Sequence, residues 1–482
     1  MSENGAVLTH WIDGRAVAAA TSRPGENPAT GGVGVETGLG SAADVDRAVR
    51  AAAAAAPGWR RFASMERGRL LSAVADRLRA DVDRLAELES ADTGKPLALS
   101  AAEIRGSADY FEFYAGLVNL PAGDVLDIQP DLHVYTRREP FGVVGVITPW
   151  NLPINQAARA CAPALAAGNT VVAKPAESTS QTTLELARIA TEVGLPDGVF
   201  NVVLGRGSEV GTAMVEHPLV RKVAFTGSVQ VGQEIGRIAA DRVLPLTLEL
   251  GGKSANIVFA DADLAFAAKE AVRAFVTNAG QVCSSGTRLL VERSVHDRFV
   301  EEVARVAAAV RPGEDLGPMI TRDQYETVQR YFEVAVAEGA TAITGGRTAT
   351  VPGHEGGYYV EPTVYTGVSN DMTVAREEVF GPVLAVIPFD TEEEAIAIAN
   401  DSDFGLVGGV FTADISRAFR VAESLEAGQV YVNSWSTQSV QMPFGGHKLS
   451  GYGREKGIEA LLHYSHVKSI SVRLAPAGTP GA

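Results

Sequence analysis

Cysteine is almost missing from this chain: its 482 residues hold two, Cys161 and Cys283. Two thiols cannot build a disulfide framework, and neither CxxC nor HExxH spacing occurs, so no metal site is expected. Positive charge is also short. Lys and Arg total 42 against 58 Asp and Glu, a net charge of −16 that repels nucleic-acid backbones and anionic membrane surfaces. No apolar run reaches the ~20 residues that spanning a bilayer takes, and the opening MSENGAVLTHWIDG lacks the apolar segment of a secretion signal. The eight histidines lie in no recognisable motif, which removes the usual base of a cysteine hydrolase. These absences predict a reduced, cytoplasmic protein without nucleic-acid or membrane partners, and an apolar fraction of 46% is ample for two or three packed domains.

What is present is first helical, then alternating. Residues 41–88 carry Ala, Leu, Arg and Glu at helical spacing. The run Ala51 to Ala56 is expected to end at Pro57-Gly58, and the next helical pattern near Thr93-Gly94-Lys95-Pro96. From residue 141, strands are predicted at 141–148, 170–174, 199–204 and 222–225, with helices at 154–167 and 182–193 between them. After Glu249-Leu-Gly-Gly252 the pattern restarts: a strand at 255–259, a helix over 263–278, a strand at 287–291 and a helix near 295–310. This rhythm predicts mostly parallel, doubly wound α/β sheets divided near residue 250, with ligands at the carboxyl ends of the strands. Residues 475–482 read as a disordered tail.

Several stretches could carry chemistry. In the run NAGQVCSSGTR from Asn278 to Arg288, Gly280 and Gly286 would let a substrate approach Cys283, and backbone N–H groups would favour its thiolate. The alternative is a small buried hydrophobe, the reading that fits Cys161. Glu249 closes an apolar strand before two glycines; burial there would raise its pKa into general-base range, unless it is a surface carboxylate. Phe225-Thr-Gly227-Ser228 follows a strand and opens a helix, so its N–H groups either hold a pyrophosphate or merely connect two elements. Lys174 and Glu177 close another strand with groups suited to ribose hydroxyls, and the two motifs together indicate a nucleotide. In the run PWNLP from Pro149 to Pro153, prolines restrict the backbone about Asn151, whose amide either donates to an oxyanion beside the Cys283 N–H or caps the following helix.

In this order the motifs resemble the NAD(P)-dependent aldehyde dehydrogenase superfamily along nearly the whole chain: PWNLP from Pro149, KPAE from Lys174, FTGS from Phe225, LELGGKS from Leu248, GQVC from Gly280, EEVFGP from Glu377 and PFGGHKLSGYGRE from Pro443. The resemblance implies an aldehyde dehydrogenase-like α/β fold. A dinucleotide-binding domain would cover 1–120 and 141–249, a catalytic domain 250–435, and a small β oligomerisation element 121–140 and 463–474, giving a homodimer or homotetramer. It implies oxidation of an aldehyde to its carboxylic acid with NAD, NADP remaining open. Cys283 would attack the carbonyl, Asn151 and the Cys283 N–H would hold the oxyanion, and Glu249 would activate water to hydrolyse the thioester. That carboxylate argues against acyl transfer to coenzyme A. Lys174 joins both the catalytic and the cofactor sets. The other implied cofactor contacts are Ile147, Thr148, Pro149, Trp150, Glu177, Gly207, Gly211, Phe225, Gly227, Ser228, Val231, Leu250, Gln324, Glu378 and Phe380. Glu177 would repel a 2′-phosphate and so favours NAD. The opposing reading, an inactive structural or binding homologue, is disfavoured by the intact Cys283, Glu249 and Asn151 set.

By the same analogy Leu152, Gln156, Arg159, Thr277, Val282, Ser284 and Phe444 would face the substrate. The set is largely polar with one cation. Arg159 is expected to hold a distal carboxylate, as in a semialdehyde; an aromatic aldehyde is the alternative substrate, and Arg159 could instead turn away to an acidic neighbour.

Overall fold

The computed structural model describes residues 7–120, 122–435 and 439–474; the tail expected at 475–482 lies outside them. Five parallel strands make the centre of the first sheet, in the spatial order Phe200–Val202, Thr170–Lys174, Val143–Ile147, Val220–Thr226 and Leu246–Glu249. The chain enters at the middle strand, runs two strands outward, then returns to build the other side. The switch falls between Val143–Ile147 and Val220–Thr226, where the connections diverge and leave a crevice at the carboxyl ends. Val143–Ile147 and Thr170–Lys174 are buried at every position, which is why they read as unbroken apolar runs and not as alternating ones.

The second sheet begins at Ala255. Its order is Thr341–Thr344, Thr363–Thr366, Val383–Phe389, Arg288–Glu292, Ala255–Val258, Val407–Phe411 and Gln429–Val432, parallel except for the first edge strand. The chain then returns to the first sheet, where Gly451–Tyr452 pairs antiparallel with Leu246–Glu249. A third sheet joins Val125–Leu126, Leu132–Pro140 and Ser465–Arg473, the last two in unbroken antiparallel register from Ser465 opposite Pro140 to Arg473 opposite Leu132. No helix among the described residues is long and apolar enough to cross a membrane.

Two helical features depart from expectation. The helix Ala42–Arg61 does not stop at Pro57 but runs through it. Pro57 is on the exposed side, where a carbonyl that loses its helical partner can turn to water, while the next turn is pinned inward by buried Trp59, whose Nε1 donates to the Leu165 carbonyl at 3.2 Å. The helix Leu97–Gly116 has no counterpart among the expected elements, although Val82–Thr93 ends as its sequence suggests, on Gly94 with a left-handed φ of 71°. Replacing Pro57 with alanine restores an N–H inside a helix and is expected to stabilise the protein by about 1–3 kcal/mol. A thermal melt of Pro57→Ala at or below the parent midpoint would show that the ring is an adapted part of this helix.

Candidate active site

The crevice of the first sheet is walled on its far side by the second domain, which supplies Cys283. Asn151, Gln156, Glu249 and Cys283 line one cleft of about 310 Å³ together with Pro149, Trp150, Gly227, Ser228, Leu250, Gln324, Glu378 and Phe380. Lys174 and Glu177 line an adjoining cleft of about 490 Å³ that shares Trp150. Of the expected cofactor contacts, Thr148 and Ile147 end their strand behind these clefts, with the Thr148 N–H on the Lys174 carbonyl at 3.1 Å. Phe225 packs under Gly227, where a Cβ would meet its ring at 2.4 Å. Gly207 and Gly211 bound a wide, π-helical turn, and Val231 lies in the first turn of Val229–Arg242, its N–H on the Ser228 hydroxyl; none of these three lines either cleft. Gln324 turns its amide to the carbonyls of Val379 and Phe380, at 3.0 and 2.9 Å. It therefore holds the loop on which Phe380 stands at a positive φ of 54° and meets Trp150 edge to face. Glu378 accepts the Gly252 N–H at 3.0 Å, and burial raises its carboxyl to about 7.

The polar groups in these clefts are buried and short of partners. Both oxygens of Glu249, both amide atoms of Gln156, Asn151 Oδ1, Thr148 Oγ1 and Glu177 Oε1 have no hydrogen bond within the protein. A native interior satisfies nearly all such atoms, so this concentration marks a place built for another molecule. A dinucleotide fits it: hydroxyls for Glu177 and Lys174, phosphate for the helix that opens at Ser228, and a ring against Phe380 and Glu378.

Burial dominates the electrostatics around the sulfur. Cys283 is half-buried, and burial pushes its thiol up to about 12, with Arg159 opposing the shift and Glu378 and Glu249 adding to it. Desolvation is the largest influence on the thiol and favours its protonated form. Glu249 is raised well above an ordinary carboxyl, first by burial and then by Glu455, with Arg159 pulling the other way. Arg159 lies 3.8 Å from Glu249, is in ion-pair contact with Glu455 without hydrogen-bond alignment, and stacks on Phe444 at 4.4 Å. Burial lowers Lys174 to about 8.

On the other side of Cys283 lies a larger cavity of about 700 Å³. Leu152, Thr277, Val282 and Ser284 line it as expected; Gln156 faces the cofactor-side cleft, and Arg159 and Phe444 lie outside the lining of both. The missed wall is the helix Leu97–Gly116, which contributes Glu103, Tyr110 and Phe113, with Trp435 opposite. Its only signal is the aromatic cluster Tyr110-Phe-Glu-Phe-Tyr114, which has no motif grammar.

A cysteine and a buried carboxylate on one nucleotide-shaped crevice, beside a second and larger cavity, mark the site of an oxidoreductase. The chain belongs to the aldehyde dehydrogenase family, whose model matches residues 16–470. It is similar to betaine aldehyde dehydrogenase from Staphylococcus aureus crystallised with NAD+, at 40% identity over 97% of this chain and 95% of that one, with a TM-score of 0.95. The indole-3-acetaldehyde dehydrogenase of P. syringae, in complex with NAD+ and IAA, matches at 38% over 97% of each chain, also at 0.95. A Bacillus cereus aldehyde dehydrogenase mutant matches at 40%, over 98% of this chain and 97% of that one, at 0.95.

The cysteine loop depends on Gly280. Its φ is 71°, and a Cβ there would sit 2.1 Å from the Gly381 carbonyl oxygen, so the loop and its neighbour would have to part. Gly280→Ala is expected to cost about 1–3 kcal/mol and to change the rate at which iodoacetamide alkylates Cys283. An unaltered melt and alkylation rate would mean that the loop tolerates a Cβ.

Proposed function

We propose that the protein oxidises an aldehyde to its carboxylic acid with NAD, through a thioester on Cys283. The observation that carries this is the convergence of Cys283, Asn151 and Glu249 on one cleft between tunnel and crevice. The aldehyde enters past Leu152 and Val282. As Cys283 adds to the carbonyl carbon its proton must leave, and buried Glu249 is the nearby group able to take it. The Asn151 amide and the Cys283 N–H hold the oxyanion. The dinucleotide, where bound, supplies the hydride acceptor. Lys174 and Glu177 would hold its adenosine ribose, and Glu378 and Phe380 its other end; Glu177 faces that cleft as a carboxylate and disfavours a 2′-phosphate. Glu249 must first pass the thiol proton to solvent; ionised again, it then draws a proton from the water that attacks the thioester, and the Cys283 sulfur leaves as thiolate and recovers a proton as the acid departs. A working thiol of this kind suits a reducing, cytoplasmic setting, and the strands Leu132–Pro140 and Ser465–Arg473, with Val467 and Val472 exposed, suit pairing into a homodimer or homotetramer.

Glu249 serves as a base only when ionised. Its pKa is raised, so acid release strengthens as pH climbs through that raised value. Glu455→Gln removes the like charge and leaves Arg159 to Glu249 alone; both changes lower the Glu249 pKa, so the acidic limb of kcat is expected to move to lower pH. A limb that stays in place would belong to another group.

The substrate is inferred to have an apolar or aromatic body. Arg159, the cation expected to hold a distal carboxylate, is 4% exposed and engaged with Glu455, Glu249 and Phe444, whereas Tyr110, Phe113 and Trp435 line the tunnel. Turnover of benzaldehyde, hexanal and succinate semialdehyde with NAD+, followed by the absorbance of the reduced cofactor, is expected to favour the first two about tenfold or more, a difference of ~1.4 kcal/mol. Arg159→Ala should lower all three alike by disturbing Glu249. A loss confined to succinate semialdehyde would return Arg159 to substrate recognition, and no turnover of any of the three would favour the inactive homologue.

A further inference from the structure

Lys95 belongs to a stretch whose sequence suggests only the end of a helix, yet its side chain is 2% exposed. Its ammonium donates to both carboxylate oxygens of Glu103 at 2.8 Å and to the main-chain carbonyl of Asn151 at 2.7 Å. An ammonium has three N–H bonds, and these three contacts use them all. The Glu89 carboxylate lies 3.8 Å from the same ammonium and accepts the Thr182 hydroxyl. The same Asn151 carbonyl accepts from Asn278 Nδ2 at 3.0 Å, and Asn151 Nδ2 donates to the Gln281 carbonyl at 2.8 Å. Asn151 is thus fastened from one side by a lysine that precedes the tunnel-wall helix and from the other by the loop that carries Cys283.

We propose that Lys95 is a positioning residue for the addition step: by holding the Asn151 carbonyl it aims the Asn151 side-chain amide at the carbonyl that Cys283 attacks, with Asn278 as the second anchor. The proposal rests on Asn151 as the oxyanion donor. Burying an ammonium with two carboxylates is a poor source of stability, because apolar groups of the same volume usually do as well. What such a cluster does supply is direction. One N–H of the Asn151 amide is spent on Gln281, so the direction of the second follows from where the main chain sits. A displacement of about 1 Å in a group of this kind can cost ~10²-fold in rate.

Steady-state kinetics of Lys95→Met, Asn278→Gly and Asn151→Ala, and of the first two each combined with Asn151→Ala, tests this with benzaldehyde and NAD+. Glycine at 278 keeps the left-handed φ of 50° accessible, so that variant decides the matter should Lys95→Met fail to fold. Lys95→Met is expected to lower kcat about tenfold or more and Asn278→Gly by less, with NAD+ affinity unchanged and little further loss in the Asn151→Ala background. Losses that multiply with that of Asn151→Ala would overturn the proposal, since they would act elsewhere. So would full kcat in both anchor variants. A fully active Asn151→Ala would instead remove the oxyanion reading itself, a result visible in that single variant alone.

Discussion

Charge taken out of water beside one sulfur governs this protein. Glu249, Arg159 and Glu455 are each 4% exposed or less; Glu249 and Arg159 act on Cys283 directly, and Glu455 acts on those two. In that setting an isolated carboxylate prefers to be neutral and an isolated thiol stays protonated. Arg159 opposes the rise in the Glu249 pKa, while Glu455 adds to that rise and shares the guanidinium; in the proposed reaction this balance keeps Glu249 available as a base. A base with an intermediate grip on its proton needs both an opposing and a reinforcing neighbour. The arrangement costs stability, and the unpaired oxygens of Glu249 show that the fold carries that cost at the site itself.

The sheets explain why these groups meet. Parallel strands put all their carboxyl ends on one side, so Ile147, Lys174, Thr226 and Glu249 end at one rim although distant in sequence. The second domain then closes that rim with a loop of its own. Gly252 sits so near Cys283 that a Cβ there would fall 2.5 Å from its carbonyl oxygen. The cysteine loop thus separates the two spaces: Cys283 lines the crevice, and its neighbours Val282 and Ser284 line the larger cavity.

Much of this was legible because its signals are local. A strand that ends in Gly227-Ser228 and opens a helix, a helix stopped at Gly94, and an apolar strand closed by Glu249 each state their conformation within a few residues. Pro57 misled for the opposite reason: whether a proline ends a helix depends on what anchors the next turn, and here that is Trp59 reaching the Leu165 carbonyl. The thiol of Cys283 is a second case of this kind. Its glycine and serine neighbours suggest close approach by a ligand, but how far burial raises the thiol depends on what the fold packs around the cleft, which no window of residues reports.

Arg159 shows the limit most clearly. From the helix Pro153–Ala166 alone its guanidinium could face tunnel or core, and a carboxylate substrate is as good a partner as a carboxylate side chain. What decides is Glu455, which arrives from the far end of the chain because Gly451–Tyr452 adds an edge strand to the first sheet and Glu455 exchanges backbone hydrogen bonds with Phe444. The same short segment brings Phe444 under the guanidinium and Lys456 onto the tunnel wall, with Lys456 held at a φ of 59° and ψ of 173°, a conformation costly for any residue but glycine. A strained lysine at that point is tolerated because the strand before it and the helix Gly457–His463 after it are both fixed. The C-terminal return therefore sets which cation lines the larger cavity and which is held beside Glu249.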